Sequence, residues 1–188
     1  MYSALLADAT FHELLLAYDR DLADIARDAG CGCGGVLHSA KYPRKPRPRL
    51  GWLRPEYHWR FSYCCAVDGC RLRTTPPSLR FLDRKVYLAA IVVVVCVMQR
   101  GISEPRMRRL NGVIGVDRRT LVRWRMWWRE AFTATPFWSS ARAAFMPPVD
   151  EHRLPAVLLE RFAGSAAERL IALLRFLTPL SRGQVQAR

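Results

Sequence analysis

Two glycine-rich stretches constrain this chain more than any other feature: Cys31-Gly-Cys33-Gly-Gly and, further on, Cys64-Cys65-Ala-Val-Asp-Gly-Cys70. They lie within residues 30 to 80, a Gly- and Pro-rich region with only short β-like runs such as Trp59 to Tyr63, and such a segment builds little core of its own. A cross-link or a metal ion has to hold it together. Paired knuckles of this kind close a tetrahedral zinc site from two hairpins, because zinc is soft enough for thiolate sulfur and undergoes no redox change. The ligand set expected first is Cys31, Cys33, Cys65 and Cys70. In a strand Cys65 shares a face with Phe61 and Tyr63 while Cys64 points the other way. Cys64 can nevertheless replace Cys65, and His38 can replace Cys31 if the tight C-x-C cannot chelate. Four protein ligands leave no open position for water, so the Zn2+ is expected to be structural. Cys96 belongs to an apolar run and reads as core.

A chain of 188 residues with 51% hydrophobic and 24% charged side chains folds into one ordinary domain or two small modules. That excludes both a large multidomain enzyme and a disordered chain. The net charge is +14, and it is uneven: residues 1 to 30 carry 2 basic and 6 acidic side chains, residues 31 to 130 carry 21 and 6, and the remainder 7 and 4. The surplus raises the local concentration of polyanions. Twenty-seven of the thirty basic residues are Arg, a planar bidentate donor to phosphate and to guanine edges. Between the knuckles, Lys41-Tyr-Pro-Arg44-Lys45-Pro-Arg47-Pro-Arg49 reads as an extended basic arm that either follows a phosphate backbone or is a solvated loop.

Residues 4 to 28 place Leu5, Leu6, Ala9, Leu14, Leu15, Tyr18, Leu22, Ile25 and Ala26 near a helical stripe, with the acidic residues largely off it as a solvated face. Helices are expected at about 84 to 100, 103 to 112 and 117 to 131, then a Pro-marked loop at 133 to 150 and a last helix or pair at 152 to 178. Composition divides the chain at 1–29, 30–82, 83–132 and 133–188. The apolar run Val86 to Met98 has 13 residues, short of the roughly 20 that span a bilayer. The residues after Met1 are acidic and amphipathic, unlike a signal peptide, so a cytoplasmic, nucleoid-associated protein is expected.

Residues 102 to 130, ISEPRMRRLNGVIGVDRRTLVRWRMWWRE, carry the pattern of two short helices around a glycine-containing turn. Ser103 caps the first helix, Asn111-Gly112 ends it, and Asp117 caps the second. On the second helix Leu121, Trp124 and Trp128 follow i, i+3, i+7 and are expected to pack on Leu110 and the Val-rich helix. Basic residues early on a second helix match what a recognition helix presents to the major groove. Arg118, Arg119 and Arg123 are the candidates for base edges or nearby phosphates, with Thr120 on phosphate and Arg125 beside them.

A zinc ribbon followed by GVDRRTLVRWRMWW resembles the DNA-binding part of bacterial insertion-element transposases and their short accessory proteins, whose helix-turn-helix often reads G-V-S/D-x-x-T-L-x-R-W. The LHSAKYPRKPR and CRLRTTPPSLRFLDRKVY runs resemble a group of mobile-element proteins of high-GC bacteria. The resemblance covers about residues 31 to 130 and implies base or backbone contact for Arg118, Arg119, Thr120 and Arg123. A transposase of the usual type adds an acidic triad on an RNase H-like fold. Here only Asp150, Glu151, Glu160 and Glu168 follow the helix pair, in a helical context too short for that fold.

The expected fold is therefore mainly α, a trihelical helix-turn-helix with a small β zinc-ribbon insert and flanking amphipathic helices. The expected function is non-enzymatic binding of double-stranded DNA for a mobile element: end recognition, an accessory role in transposition, or repression. Two alternatives stand beside it. The ribbon aromatics Tyr42, Trp52, Tyr57, Trp59 and Phe61 can stack unpaired RNA or DNA bases. The ribbon and the apolar carboxyl-terminal segments can instead bind a transposase or recombinase, or a second copy of the chain as a homodimer.

Overall fold

The Asp8 carboxylate accepts from the Thr10 and Phe11 amides and starts the long amino-terminal helix. Helix α1 (Tyr2–Leu5) precedes it and α2 (Ala9–Asp28) follows. The computed structural model describes residues 2–43, 51–82, 87–98, 108, 112 and 115–181. Phe11, His12, Leu15, Leu16, Asp19 and Ala23 are the buried face of α2. The expected stripe is rotated from this face: Leu14 and Ile25 lie outside, and Asp19, expected on the solvated side, is inside.

The segment after α2 forms short antiparallel pairings. Strands β1 (Leu37–Ser39), β4 (Tyr63–Cys65) and β5 (Arg73–Thr74) make one small sheet in the order β1-β4-β5. Strand β2 (Tyr42–Pro43) pairs with β3 (Trp59–Arg60), and β6 (Phe81–Leu82) with β7 (Tyr87–Leu88). The last pair shortens the Val-rich helix relative to expectation: α3 runs Ala89–Met98, because Tyr87 and Leu88 are taken up by the hairpin. Ala89 to Val95 are all buried, so α3 is apolar on every side and forms the centre of the core.

Helix α4 (Arg118–Met126) continues into a π-helical turn, Trp127–Ala131. Most of the expected helix 103–112, with Leu110, lies outside the described residues; Arg108 and Gly112 are helical and exposed. The expected loop at 133–150 instead contains α5 (Pro136–Ala141), capped by the Thr135 hydroxyl on the Trp138 amide, with Pro136 at the position where a missing N–H costs nothing. Helices α6 (Ala156–Glu160) and α7 (Ala166–Phe176) form the carboxyl-terminal pair, and a Ser165–Glu168 capping box starts the second. Their apolar faces, including Leu158, Leu170, Leu173 and Leu174, share one core with α2, α3 and α4. The fold is mainly α with small antiparallel sheets. No helix among the described residues is long and apolar enough to cross a membrane.

The amino-terminal helix, the ribbon and the carboxyl-terminal turn meet at buried polar groups. Asp19 and Arg80 form an ion pair, Nε to Oδ2 at 2.8 Å, with both side chains fully shielded from solvent. Asp19 also accepts from the Leu79 amide at 2.6 Å and from the Ser78 hydroxyl. The rest of the Arg80 guanidinium donates to the carbonyls of Tyr57 and Trp59 and stacks over Phe81 at 5.1 Å. Arg60 donates to the carbonyls of Pro76 at 2.7 Å and Ser181 at 2.9 Å, while the Ser181 hydroxyl accepts from the Ser78 amide.

His12 is buried beside this hub. The Leu6 carbonyl only accepts, so Nε2 carries the proton and donates to it at 3.1 Å, and Nδ1 accepts from the Tyr57 hydroxyl at 2.8 Å. Burial lowers the His12 pKa, outweighing the Leu6 carbonyl and Asp8, which raise it. As pH falls through the ordinary imidazole value of about 6.5, the unfolded chain takes up a proton that the folded chain refuses. This contribution to stability is present above that value and is lost on its acid side. Urea midpoints measured from pH 7.5 down to pH 5.5 should fall, and His12→Gln should flatten that slope; an unchanged slope would show that another group sets it.

Candidate metal centre and basic helix

The first knuckle is set by the end of α2. Gly30, at φ +71°, turns the chain out of the helix, and Cys31 closes a tight loop: its amide donates to the Gly35 carbonyl at 3.0 Å and its carbonyl accepts from Gly34 at 2.8 Å. The second knuckle leaves β4 at Cys65, where the Val67 amide donates to the Cys65 Sγ at 3.4 Å, and turns back so that Cys70 donates to the Val67 carbonyl. Pairing of Leu37 with Cys65 across β1 and β4 brings the two loops together.

The Sγ atoms of Cys31, Cys33, Cys65 and Cys70 all lie within 4.8 Å of one another. Cys31 and Cys70 are 3.7 Å apart, Cys33 and Cys65 3.5 Å. Sulfurs held at about 2.3 Å around a tetrahedral ion sit about 3.8 Å from each other, whereas a disulfide requires about 2.05 Å. The spacing is that of a cage, and all four cysteines are free. Gly35 keeps the cage open. A Cβ there would lie 2.7 Å from the Cys65 Sγ and 2.6 Å from Val67 Cγ2, so a larger residue displaces a sulfur.

The two alternates fall on the other side of the strand. His38 is opposite Cys64 in the β1–β4 register, and the Cys64 thiol faces the Arg71 carbonyl at 3.5 Å, away from the four. Within the four thiols, the Gly35 N–H, followed by Cys65, Cys70 and Cys31, lowers Cys33 to about 7. The Val67 amide pulls Cys65 down, but burial and the neighbouring thiols outweigh it and raise that thiol to about 12. A cation bound here would displace the protons that the thiols still hold. Among the described residues this quartet can hold a metal ion.

The small apolar cluster around this site, Ala23, Leu37 and Tyr63 with Cys31 and Cys65, is separate from the main core. Composition understated the region's other half, since Tyr57 and Leu79 lie in that main core. Tyr57, expected as a stacking surface, is fully buried between His12 and Arg80. Trp52 and Trp59 are exposed, Phe61 is half-buried under the Lys41 ammonium at 5.7 Å, and Tyr42 is half-buried with the Arg73 guanidinium at 5.9 Å. Arg44, Lys45, Arg47 and Arg49 lie outside the described residues.

On α4 the Asp117 carboxylate accepts from the Thr120 amide at 2.6 Å, and this contact, with the Thr120 side chain and the nearby arginines, holds the acid below its usual range. Leu121, Trp124 and Trp128 are buried and seat the helix against α3. Arg118, Arg119, Arg123, Arg125 and Arg129 are exposed, as are Val122 and Met126 between them. Arg123 donates to the Thr120 hydroxyl at 2.9 Å, so those two expected contacts form one unit.

Each carboxylate that follows α4 and its π turn has a local structural task. Asp150 accepts from the His152 amide, Glu151 from the Trp138 indole at 2.7 Å, Glu160 pairs with Arg153 at 2.6 Å, and Glu168 closes the capping box. In comparisons with known proteins, no family model, curated protein or solved structure matches this chain.

Proposed function

We propose that the chain is a non-catalytic double-stranded DNA-binding protein of a mobile element, with residues 102–130 as its helix-turn-helix and a Cys31–Cys33–Cys65–Cys70 zinc knuckle as its structural brace. One observation carries this reading: α4 and its π turn are fixed by three buried apolar side chains, Leu121, Trp124 and Trp128, while five arginines on them face outward. A rigid, capped helix with outward guanidinium groups is suited to the major groove, where Arg pairs bidentately with guanine. The four thiolates fit zinc by number, spacing and softness, and they leave no open position for water, so the ion braces the ribbon and takes no part in a reaction.

The expected roles are end recognition, assistance to a transposase or recombinase, or repression, with a second copy of the chain reading a second half-site. Binding-site selection on random duplexes tests the reading directly. Each good bidentate contact contributes about 1–3 kcal/mol of discrimination. Arg118→Ala combined with Arg123→Ala should therefore weaken the selected duplex about a hundredfold in an anisotropy titration. The parent's affinity should also fall steeply with salt as counterions are released. Undiminished binding by the double variant would remove α4 from the interface.

A further inference from the structure

Between α2 and the ribbon lies a cleft of about 410 Å³ lined by Leu16, Arg20, Lys41, Pro55, Glu56, Trp59 and Phe61. Its size falls within the range of small-molecule sites, about 300–1,000 Å³. We propose that it takes one unpaired nucleotide, with the base against Trp59 and Phe61, the phosphate at Arg20 and Lys41, and an exocyclic amine turned to Glu56. This rests on the reading of the chain as a nucleic-acid binder and adds a second site to it.

The chemistry of the walls points to this class. Leu16, Pro55, Trp59 and Phe61 give the cleft a mainly apolar, partly aromatic lining of the kind on which bases stack without sequence preference. Trp59 is 39% exposed, so its indole is accessible. Neither Arg20 nor Lys41 has a carboxylate partner among the described residues; Lys41 instead rests over the Phe61 ring. Two cations beside aromatic rings suit a planar group that carries a phosphate. Glu56 narrows the class. A carboxylate in the wall repels a ligand that is anionic throughout, and accepts from one with an amine edge next to its anion, as cytosine has and thymine lacks.

Two sources share this chemistry: a free nucleotide, and an unpaired residue of a strand. The test uses the full chain and fluorescein-labelled oligo(dC) and oligo(dT), with cytidine monophosphate as competitor, at salt high enough to suppress diffuse attraction. Oligo(dC) should bind about fivefold or more tightly than oligo(dT), and Glu56→Ala, which removes the acceptor, should erase that preference. Trp59→Ala should weaken oligo(dC) about tenfold, and Trp59→Phe, which keeps a ring and guards against misfolding, should retain most of the affinity. Arg20→Glu should weaken it more than Arg142→Glu, an equal charge change at an exposed residue outside the cleft lining. Competition by the monophosphate at concentrations near those of the oligonucleotide assigns the cleft to free nucleotides, and competition only far above them assigns it to strands. Equal binding by Trp59→Ala, or equal damage from Arg20→Glu and Arg142→Glu, overturns the proposal. Failure of the parent chain to bind either oligonucleotide while it still selects a duplex overturns this site alone; oligonucleotide binding without duplex selection overturns only the α4 interface.

Discussion

Cys65→Ser should release the metal and unfold the ribbon, whereas Cys64→Ser should leave metal content at one ion per chain. The two residues are neighbours, yet one sulfur points into the quartet and the other at the Arg71 carbonyl. Structural zinc contributes an apparent binding free energy of about 10–16 kcal/mol in small domains, against a total stability of about 5–15 kcal/mol for an ordinary one. Ala23, Leu37 and Tyr63 are too few to replace it. Elemental analysis of the purified variants, with hydrogen exchange on residues 31–43 and 51–75, reads both halves of this expectation. Chelation of the parent should reproduce Cys65→Ser. The main core lies elsewhere, around α3, so much of the helical circular dichroism should survive. Metal retained by Cys65→Ser, or lost from Cys64→Ser, would refute the ligand set.

Asp19→Ala should be the most damaging single change remote from the cysteines. It leaves the Arg80 guanidinium charged in a site with no access to water and strands the Leu79 amide and Ser78 hydroxyl. Breaking one side of a buried ion pair costs about 3–5 kcal/mol, a large fraction of the whole. Urea unfolding at saturating zinc measures this. Asp19→Ala with Arg80→Met should recover only part of the loss, because Arg80 also serves the Tyr57 and Trp59 carbonyls, which the thioether cannot. A loss below about 1 kcal/mol in the single variant would mean that solvent reaches the pair.

The parts that were legible in the sequence are those fixed by local spacing. The cysteine quartet follows from strand alternation at Cys64-Cys65 and from two Gly-rich turns, and the seating of α4 follows from Leu121, Trp124 and Trp128 at helical intervals. Asp19 was illegible for a physical reason. Its partner is 61 residues away, and periodicity alone assigns every acidic residue of an amphipathic helix to solvent. The same limitation displaced the α2 face, since the polar His12 and Asp19 belong to it while Leu14 and Ile25 do not. Helix α5 did leave a signal, Thr135-Pro136, a cap followed by the favoured first residue, which is easily taken for a loop when further prolines follow at 147 and 148. Leu88 is as apolar as the helix it precedes, so only the pairing of Tyr87 and Leu88 with Phe81 and Leu82 separates them from it.

The meeting of Arg60, Arg80, Asp19 and Ser181 has a practical consequence for anyone cutting this chain. A fragment containing only residues 30–82 carries two guanidinium groups whose acceptors lie partly in distant sequence, one near the start of the chain and one near its end. Excision would expose both arginines to water and detach the cysteine-bearing loops from the helix that presents Ala23 to them. The region bounded by composition is thus a graft held at its roots, and it should not survive transplantation into another protein as an independent unit.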